Sequence, residues 1–178
     1  INFCKRKKIE FLSTPYDVED AKLLAKHGVK KFKTSSADLT DYFLHNFLSK
    51  NAKQVIISTG MSNLKEISNT LKVYNKKKTK IILLHCISNY PCSDSSLNLN
   101  NIITLKNTFR LPVGFSDHSE NKLAAITAMG LGCRVIERHI TLSKKMKGPD
   151  HLASDDPEQF KNYVKLIRNN EQILGDFK

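Results

Sequence analysis

No stretch of this sequence is apolar for long enough to cross a membrane, and no signal-peptide pattern opens it. A membrane span needs about 20 consecutive apolar residues. The four cysteines include no C-x-x-C pair and no spacing typical of a disulfide framework. Free thiols are typical of the reducing cytoplasm. We therefore expect a cytoplasmic protein that has no membrane partner.

Motifs for nucleotide and nucleic-acid binding are missing as well. Neither a Walker motif nor a G-x-G-x-x-G motif occurs, so we do not expect a nucleotide cofactor. The formal net charge is +12, but the basic clusters at Lys5–Lys8, Lys76–Lys80 and Lys144–Lys147 contain no interleaved aromatic residues. Such clusters are typical of a solvated surface. The basic field favours an anionic substrate such as a phosphate ester over a nucleic acid.

The length of 178 residues suffices for one domain but falls short of the roughly 250 residues of a complete (β/α)8 barrel. The chain begins I-N-F-C-K-R-K-K-I-E, without Met, and this start resembles the end of a helix that continues into a strand. We expect a fragment that is cut at both ends.

Short apolar, β-branched segments alternate with helical patterns along the whole chain. This alternation predicts a parallel sheet that is covered by helices. The predicted strands are Ile9–Leu12, Val29–Phe32, Gln54–Ile57, Lys80–Leu84, Leu111–Phe115 and Cys133–Ile136.

Capping residues mark the helices between these segments. Asp17 and Gly28 bound one helical pattern, Asn63 and Glu66 form a capping-box pair, and Asp156 precedes the last helix. Two further helices are predicted at Leu97–Phe109 and at Lys122–Met129, the second of them stopped by Gly130.

All six predicted strands end in hydroxyl, charged or imidazole side chains. A doubly wound open sheet gathers its ligands at one switch point, whereas a closed barrel carries functional loops after every strand. The sequence therefore favours a (β/α)8 barrel over an open sheet.

Several of these strand ends carry hydroxyl groups, and one carries a lysine. A bound phosphate requires converging donors and a cation, which such a set supplies. Each hydroxyl taken singly is more often a turn-forming residue. The residues concerned are Thr14, Ser35, Ser36, Ser58, Thr59 and Ser116, together with Lys33.

His118 and His139 each end a polar cluster after a strand and lie 21 residues apart, about the length of one βα unit. If the two strands are parallel neighbours, both imidazoles lie at the same edge of the sheet. A single histidine in such a place is more often a structural residue. Two imidazoles, completed by oxygen atoms of water and substrate, suit a divalent ion such as Mn²⁺. Asp150 follows Gly148 in a turn that either aims its carboxylate at this site or leaves it solvated.

Seven motifs in chain order resemble the sialic acid synthases, which condense phosphoenolpyruvate with an N-acylated sugar aldehyde. The resemblance covers nearly the whole chain. The motifs are F-L-S-T-P-Y, K-x-x-S-x-[acid], I-I-S-T-G-M, L-L-H-C-x-x-x-Y-P, V-G-F-S-D-H-S, V-I-E-R-H-I-T and G-P-D-H-x-A-S.

The resemblance implies a role for each matching residue. His118 and His139 would bind the divalent metal, for which Mn²⁺ is expected and Mg²⁺ or Co²⁺ are alternatives, and they would be catalytic together with Asp38. Tyr90 and Asp150 would contact the N-acyl hexosamine. The residues that would hold phosphoenolpyruvate are Thr14, Lys33, Ser36, Ser58, Asn89 and Ser116. In the implied reaction, C3 of phosphoenolpyruvate attacks the aldehyde, water adds at C2, and phosphate leaves with C–O cleavage.

Two departures from the family pattern affect what the resemblance implies. The first two βα units and a small C-terminal antifreeze-like domain are not present, so residues 1–178 would be a partial (β/α)8 barrel with strands three to eight. The full-length protein would be a homodimer, and this fragment alone would be inactive. The second departure is Asp38, which stands where many relatives have Glu, so its role is left open.

Three alternatives remain open at this stage. The substrate of the same reaction could be the precursor of N-acetylneuraminate, of legionaminate or of pseudaminate. An aldolase or isomerase barrel would instead use Lys33 as a Schiff-base lysine, which requires an apolar pocket. A truncated paralogue would bind sugar or metal without catalysis.

Overall fold

A computed structural model describes residues 1–75 and 77–175. The helices are α1 (Asn2–Arg6), α2 (Val18–Lys26), α3 (Tyr42–Asn51), α4 (Leu64–Val73), α5 (Asn101–Phe109), α6 (Leu123–Gly130) and α7 (Pro157–Leu174). The strands are β1 (Lys31–Thr34), β2 (Gln54–Ser58), β3 (Lys80–His85), β4 (Val113–Asp117) and β5 (Ile136–Arg138), and a short 3-10 helix spans Asp94–Ser96. The hydrogen-bonded strand order is β1-β2-β3-β4-β5. No helix among the described residues is long and apolar enough to cross a membrane.

The chain divides into two compact units, Ile1–Leu83 and Leu84–Lys178. In the first unit β1 and β2 pair in parallel, with Phe32 opposite Val55, and both side chains are fully buried. The predicted helix signals are confirmed here. The Asp17 side chain accepts a hydrogen bond from Asp20 N at 2.7 Å, and Asn63 caps α4 in a capping box.

The predicted strand Ile9–Leu12 is wrong. Only Ser13, one residue beyond it, forms an isolated parallel bridge, and its partner is Phe32 of β1. Ile9 and Leu12 remain 63% and 41% exposed. Apolar side chains promote a strand when a neighbouring surface covers them, and these two have little cover. The described part of the chain therefore contains five strands instead of the six predicted.

Helix α3 was not predicted. Its N-terminus is capped by the Asp41 carboxylate, which accepts a hydrogen bond from Leu44 N at 3.0 Å. Leu44 and Leu48, one helical turn apart, are fully buried. Asp41 followed by apolar residues at this spacing is the sequence signal that could have revealed the helix.

In the second unit β4 and β5 pair in parallel, with α6 between them in the chain and α7 after β5. The predicted start of α7 after Asp156 is confirmed. Asp156 also forms a capping box there, since it accepts from Gln159 N at 2.8 Å and Gln159 Oε1 accepts from Asp156 N at 3.1 Å. Two helix ends differ from prediction. α5 begins at Asn101 rather than Leu97, and Gly130 lies inside α6, while Gly132 beyond it has the positive φ of +92°.

Three strands lie further along the chain than predicted. β1 ends at Thr34, β4 at Asp117 and β5 at Arg138, each two residues beyond the predicted end. Hydrophobicity underestimated these strands because their last residues are polar yet buried, as Thr34 and Asp117 show. The polar clusters at the strand ends therefore lie partly inside the strands, where strand geometry fixes their direction.

Candidate active site

The pairing of β4 with β5 decides where their polar residues point. Ser116 lies opposite Glu137, and Asp117 lies opposite Arg138. Since side chains alternate between the two faces of a strand, the two pairs project in opposite directions. On one face Ser116 Oγ donates to Glu137 Oε1 at 2.6 Å. On the other, Arg138 Nη1 lies 3.4 Å from Asp117 Oδ2.

His118 and His139, the residues that follow β4 and β5, lie side by side. Their ring centroids are 5.4 Å apart and their planes meet at 72°. The ring of Tyr90 packs against both imidazoles, with centroid distances of 4.1 Å to His118 and 4.9 Å to His139. The second unit thus brings together the two predicted metal ligands and a predicted sugar-contacting residue.

The hydrogen bonds of His118 define its tautomer. Its Nδ1 lies 2.7 Å from the carbonyl oxygen of Ile87, which can only accept, so Nδ1 carries the hydrogen. Nε2 then carries a lone pair. It lies 3.1 Å from the Tyr90 hydroxyl, which can donate to it, and 3.1 Å from Ser116 Oγ, whose hydrogen is directed at Glu137. Burial lowers the pKa of His118, and the neighbouring His139 lowers it further. The ring is therefore neutral at pH 7, which is the form that binds metal ions.

This donor set fits a divalent cation. A metal-binding histidine usually donates its second ring N–H to a carbonyl or carboxylate, as His118 does to Ile87. Among residues 1–75 and 77–175, no group of three or more His, Cys, Asp or Glu side chains is arranged to hold a metal. Two imidazoles would therefore be completed by oxygen atoms from water and substrate, as the sequence predicts.

The other predicted residues of the second unit lie nearer the surface. Asn89 is exposed, and its backbone N–H donates to the carbonyl of Ile87 at 2.9 Å. Asp150 is also exposed, in the segment between β5 and α7, where its carbonyl accepts from Ser154 Oγ at 2.7 Å.

In the first unit, the predicted phosphate-binding residues lie before β1 (Thr14), within it (Lys33), after it (Ser36) and at the end of β2 (Ser58). Lys33 is 7% exposed and donates its backbone N–H to Ser13 O at 3.2 Å, next to half-buried Thr14. Ser36 Oγ accepts from the backbone N–H of Gly60 at 3.1 Å, and Ser58 is buried. The loops that follow the two strands are thereby joined at one edge of the sheet.

Asp38 lies in the loop after β1, and its carboxylate is held locally. Ser35 Oγ donates to Asp38 Oδ2 at 2.6 Å. The backbone N–H of Asp38 also donates to the carbonyl of Ser35, at 3.3 Å. The Asp38 carboxylate is therefore oriented by the Ser35 hydroxyl of the same loop.

Sequence reasoning missed the residues that surround the histidine pair. Glu137 bonds to Ser116, and Arg138 makes buried ion pairs with Asp117 and with Asp155 at 3.0 Å. The S-D-H and E-R-H motifs contained the signal. When two such strands pair in register, their middle residues, Asp and Arg, face each other.

Comparison with known proteins agrees with the predicted family and fold. The NeuB family model matches residues 1–178. An uncharacterised protein of Methanocaldococcus jannaschii is 47% identical over 97% of this chain and 52% of its own length. The N,N'-diacetyllegionaminic acid synthase of Legionella pneumophila is 44% identical over 94% of this chain and 48% of its own length.

A solved structure with a similar fold agrees with the family match. The N-acetylneuraminic acid (sialic acid) synthetase of Leptospira borgpetersenii, crystallised with citrate, superposes with a TM-score of 0.91 at 33% identity. The match covers 98% of this chain and 61% of that chain. The predicted fold class, an α/β partial (β/α)8 barrel, is confirmed. The chain spans about half the length of the curated relatives it matches, and it belongs to the NeuB family of sialic, legionaminic and pseudaminic acid synthases.

Proposed function

We propose that the protein containing this chain condenses phosphoenolpyruvate with an N-acylated hexose and releases phosphate, as a carbon–carbon bond-forming transferase of sialic acid biosynthesis. The observation that carries the proposal is the cluster of His118, His139 and Tyr90 in the second unit. It presents a neutral imidazole lone pair beside a partly exposed phenol hydroxyl. The family match supports the class of reaction.

In the second unit, His118 and His139 would hold a divalent cation, for which Mn²⁺ is expected and Mg²⁺ or Co²⁺ are alternatives. A bound cation supplies Lewis-acid polarisation of the sugar aldehyde. Tyr90 and Asp150 would contact the sugar. Asn89 and Ser116 would contact phosphoenolpyruvate, and Ser116 is fixed for that contact by its hydrogen bond to Glu137.

In the first unit, Lys33 and the hydroxyls of Thr14, Ser36 and Ser58 would bind the anionic groups of phosphoenolpyruvate. One cation with several donors matches the charge and geometry of a phosphate. The task of these residues is alignment, because C3 must approach the aldehyde carbon closely for the bond to form. Water then adds at C2, and phosphate leaves with cleavage of its C–O bond. Asp38 would be the third catalytic residue.

Two acceptor sugars are favoured by different observations. N-Acetylmannosamine follows from the sequence motifs, which resemble sialic acid synthases in general. A diacetylated hexose follows from the 44% identity to the N,N'-diacetyllegionaminic acid synthase. A pseudaminate precursor is the third alternative.

A panel assay tests the reaction and selects the sugar. The full-length protein, with Mn²⁺ and phosphoenolpyruvate, is offered mono-N-acetylated and diacetylated hexoses, while phosphate release and product mass are followed. In heavy-oxygen water the released phosphate should remain unlabelled, because the C–O bond breaks. Labelled phosphate, or no sugar-acid product with any hexose, would contradict the proposal. His27→Ala is the matched control, since His27 is exposed at the end of α2.

Lys33 also allows a test against the Schiff-base alternative. Lys33 lies in β1, and the residues that follow it carry hydroxyls, of which Ser36 Oγ accepts a hydrogen bond from Gly60 N. Phosphate binding by these groups predicts that borohydride traps no covalent adduct. A trapped adduct on Lys33 would favour an aldolase.

We also propose that this chain is the partial barrel of a longer cytoplasmic homodimer with two preceding βα units and a C-terminal antifreeze-like domain. Residues 1–178 alone should then show no turnover. The alternative is a truncated paralogue that binds sugar or metal without catalysis. Reading the complete open reading frame distinguishes the two.

A further inference from the structure

The side chain of Arg138 is enclosed in the second unit although it carries a full charge. It is 6% exposed, and both of its ion-pair partners, Asp117 and Asp155, are equally well covered. Arg138 donates to Asp155 through Nε at 3.2 Å and through Nη2 at 3.0 Å. This two-point pairing uses the planar fork of the guanidinium, which lysine cannot reproduce.

The carboxylate of Asp117 accepts further hydrogen bonds from Tyr163 and Ser119. Tyr163 of α7 donates its hydroxyl to Oδ2 at 2.7 Å. Ser119 donates to Oδ1 from its backbone N–H at 3.0 Å and from its hydroxyl at 2.6 Å. The Arg138 guanidinium also packs against the Tyr163 ring, 5.2 Å from its centroid. The network thus ties the ends of β4 and β5 to α7.

The same network also forms hydrogen bonds with the backbone at or next to each histidine. Arg138 Nη1 donates to the carbonyl of Ser119, the residue after His118. Asp155 donates its backbone N–H to the carbonyl of His139 at 3.1 Å. One guanidinium therefore connects the chain segment that carries His118 with the segment that carries His139.

We propose that Arg138 is a positioning residue that fixes the relative placement of the His118 and His139 imidazoles. Its side chain points away from the Ser116–Glu137 face, so it acts through Asp117, Ser119 and Asp155 rather than by touching a substrate. The inference rests on the proposed function, in which the two imidazoles hold a divalent cation.

An effect of the Arg138 charge and an effect of its position predict opposite changes in the affinity of Arg138 variants for a divalent cation. Two carboxylates surround one guanidinium, so replacing Arg138 by a neutral residue makes the surroundings of the histidines more negative. If charge alone mattered, Arg138→Gln would bind a divalent cation more tightly. If Arg138 positions the ligands, both Arg138→Gln and the charge-conserving Arg138→Lys bind it more weakly.

The test measures Mn²⁺ binding to the full-length protein by calorimetry, together with the crystal structures of the parent and of Arg138→Lys. We expect the Kd for Mn²⁺ to rise about 10- to 100-fold in both variants, the usual range for residues that orient metal ligands. The ring centroids should move from their 5.4 Å separation. The matched control is Arg168→Lys on α7, whose exposed ion pair with Glu171 lies outside the network.

Arg138→Lys keeps the charge, so it gives a result even if Arg138→Gln does not fold. A Kd within about twofold of the parent in Arg138→Lys, with unmoved imidazoles, would overturn the positioning role. Failure of the proposed function looks different. A parent protein that binds no Mn²⁺ refutes the proposed cation site, and the ring separation in the two crystal structures then decides the role of Arg138 by itself.

Discussion

His45 in the first unit and His118 in the second are both buried, yet their surroundings differ. His45 is fully buried, with Nδ1 bonded to the Tyr74 hydroxyl at 2.7 Å. Its Nε2 has no hydrogen-bond partner within the described part of the chain. His118 is 8% exposed, and its Nε2 lies 3.1 Å from the Tyr90 hydroxyl, which can donate to it.

The comparison shows that burial does not by itself identify a functional histidine. Burial lowers the pKa of both rings, so both are neutral at pH 7. Only His118 lies at the carboxyl end of a strand beside a second imidazole. His45 lies on α3, on the side that faces the protein core. We therefore expect replacement of His118 to affect catalysis and replacement of His45 to affect stability.

The largest expected effect concerns the histidine pair. His118→Ala or His139→Ala in the full-length protein should lower kcat/KM on the order of a thousandfold, because cation polarisation contributes several kcal/mol. Steady-state assays with phosphoenolpyruvate and the preferred hexose measure it. His27→Ala should match the parent. A His118→Ala enzyme as active as the parent would show that His118, like His45, has no catalytic role.

The second-largest expected effect on activity concerns Asp38. Asp38→Ala should lower activity about a hundredfold, the cost of misplacing a reacting group by about 1 Å. Asp38→Glu adds one methylene, about 1.5 Å, and should keep much of the activity because the family resemblance implies a glutamate at this position. The kcat of both variants is the measurement. An Ala variant as active as the parent would reduce Asp38 to a loop residue.

The third prediction is that His45 makes the free energy of unfolding depend on pH. Burial lowers its pKa from 6.5 to about 4, so the unfolded chain takes up the proton first. The stability contributed by the neutral ring is complete above pH 6.5 and is lost as the pH falls towards 4. The loss is on the order of 3 kcal/mol.

Urea unfolding between these pH values measures this dependence. His45→Leu should flatten it, whereas Tyr74→Phe keeps the titrating ring and should preserve it. A parent protein with the same pH slope as His45→Leu would show that other groups dominate.

The smallest expected effect compares helix caps in the two units. Asp41→Ala at α3 and Asp156→Ala at α7 each remove a carboxylate that accepts a backbone N–H. Each should lower the free energy of unfolding by about 1 kcal/mol, with kcat unchanged. Thermal unfolding of both variants gives the values. The matching Asn variants should recover most of the loss, and a cap without effect would indicate that tertiary packing alone holds that helix.

Sequence by itself determined the alternation of strands and helices, the caps of α2, α4 and α7, and the family. These features depend on short-range patterns, since a cap needs one side chain and its own backbone. It also predicted that His118 and His139 share an edge, because the number of residues between two parallel strands limits where the second can begin.

Only the tertiary structure decided which polar residues continue the strands and what they contact. Thr34, Asp117 and Arg138 look like loop residues by hydrophobicity, yet they end β1, β4 and β5. A polar side chain can be buried once partners from distant segments satisfy it, as Tyr163 and Asp155 do in this network. Those partners lie up to 46 residues away in the chain, which is beyond the reach of any local pattern.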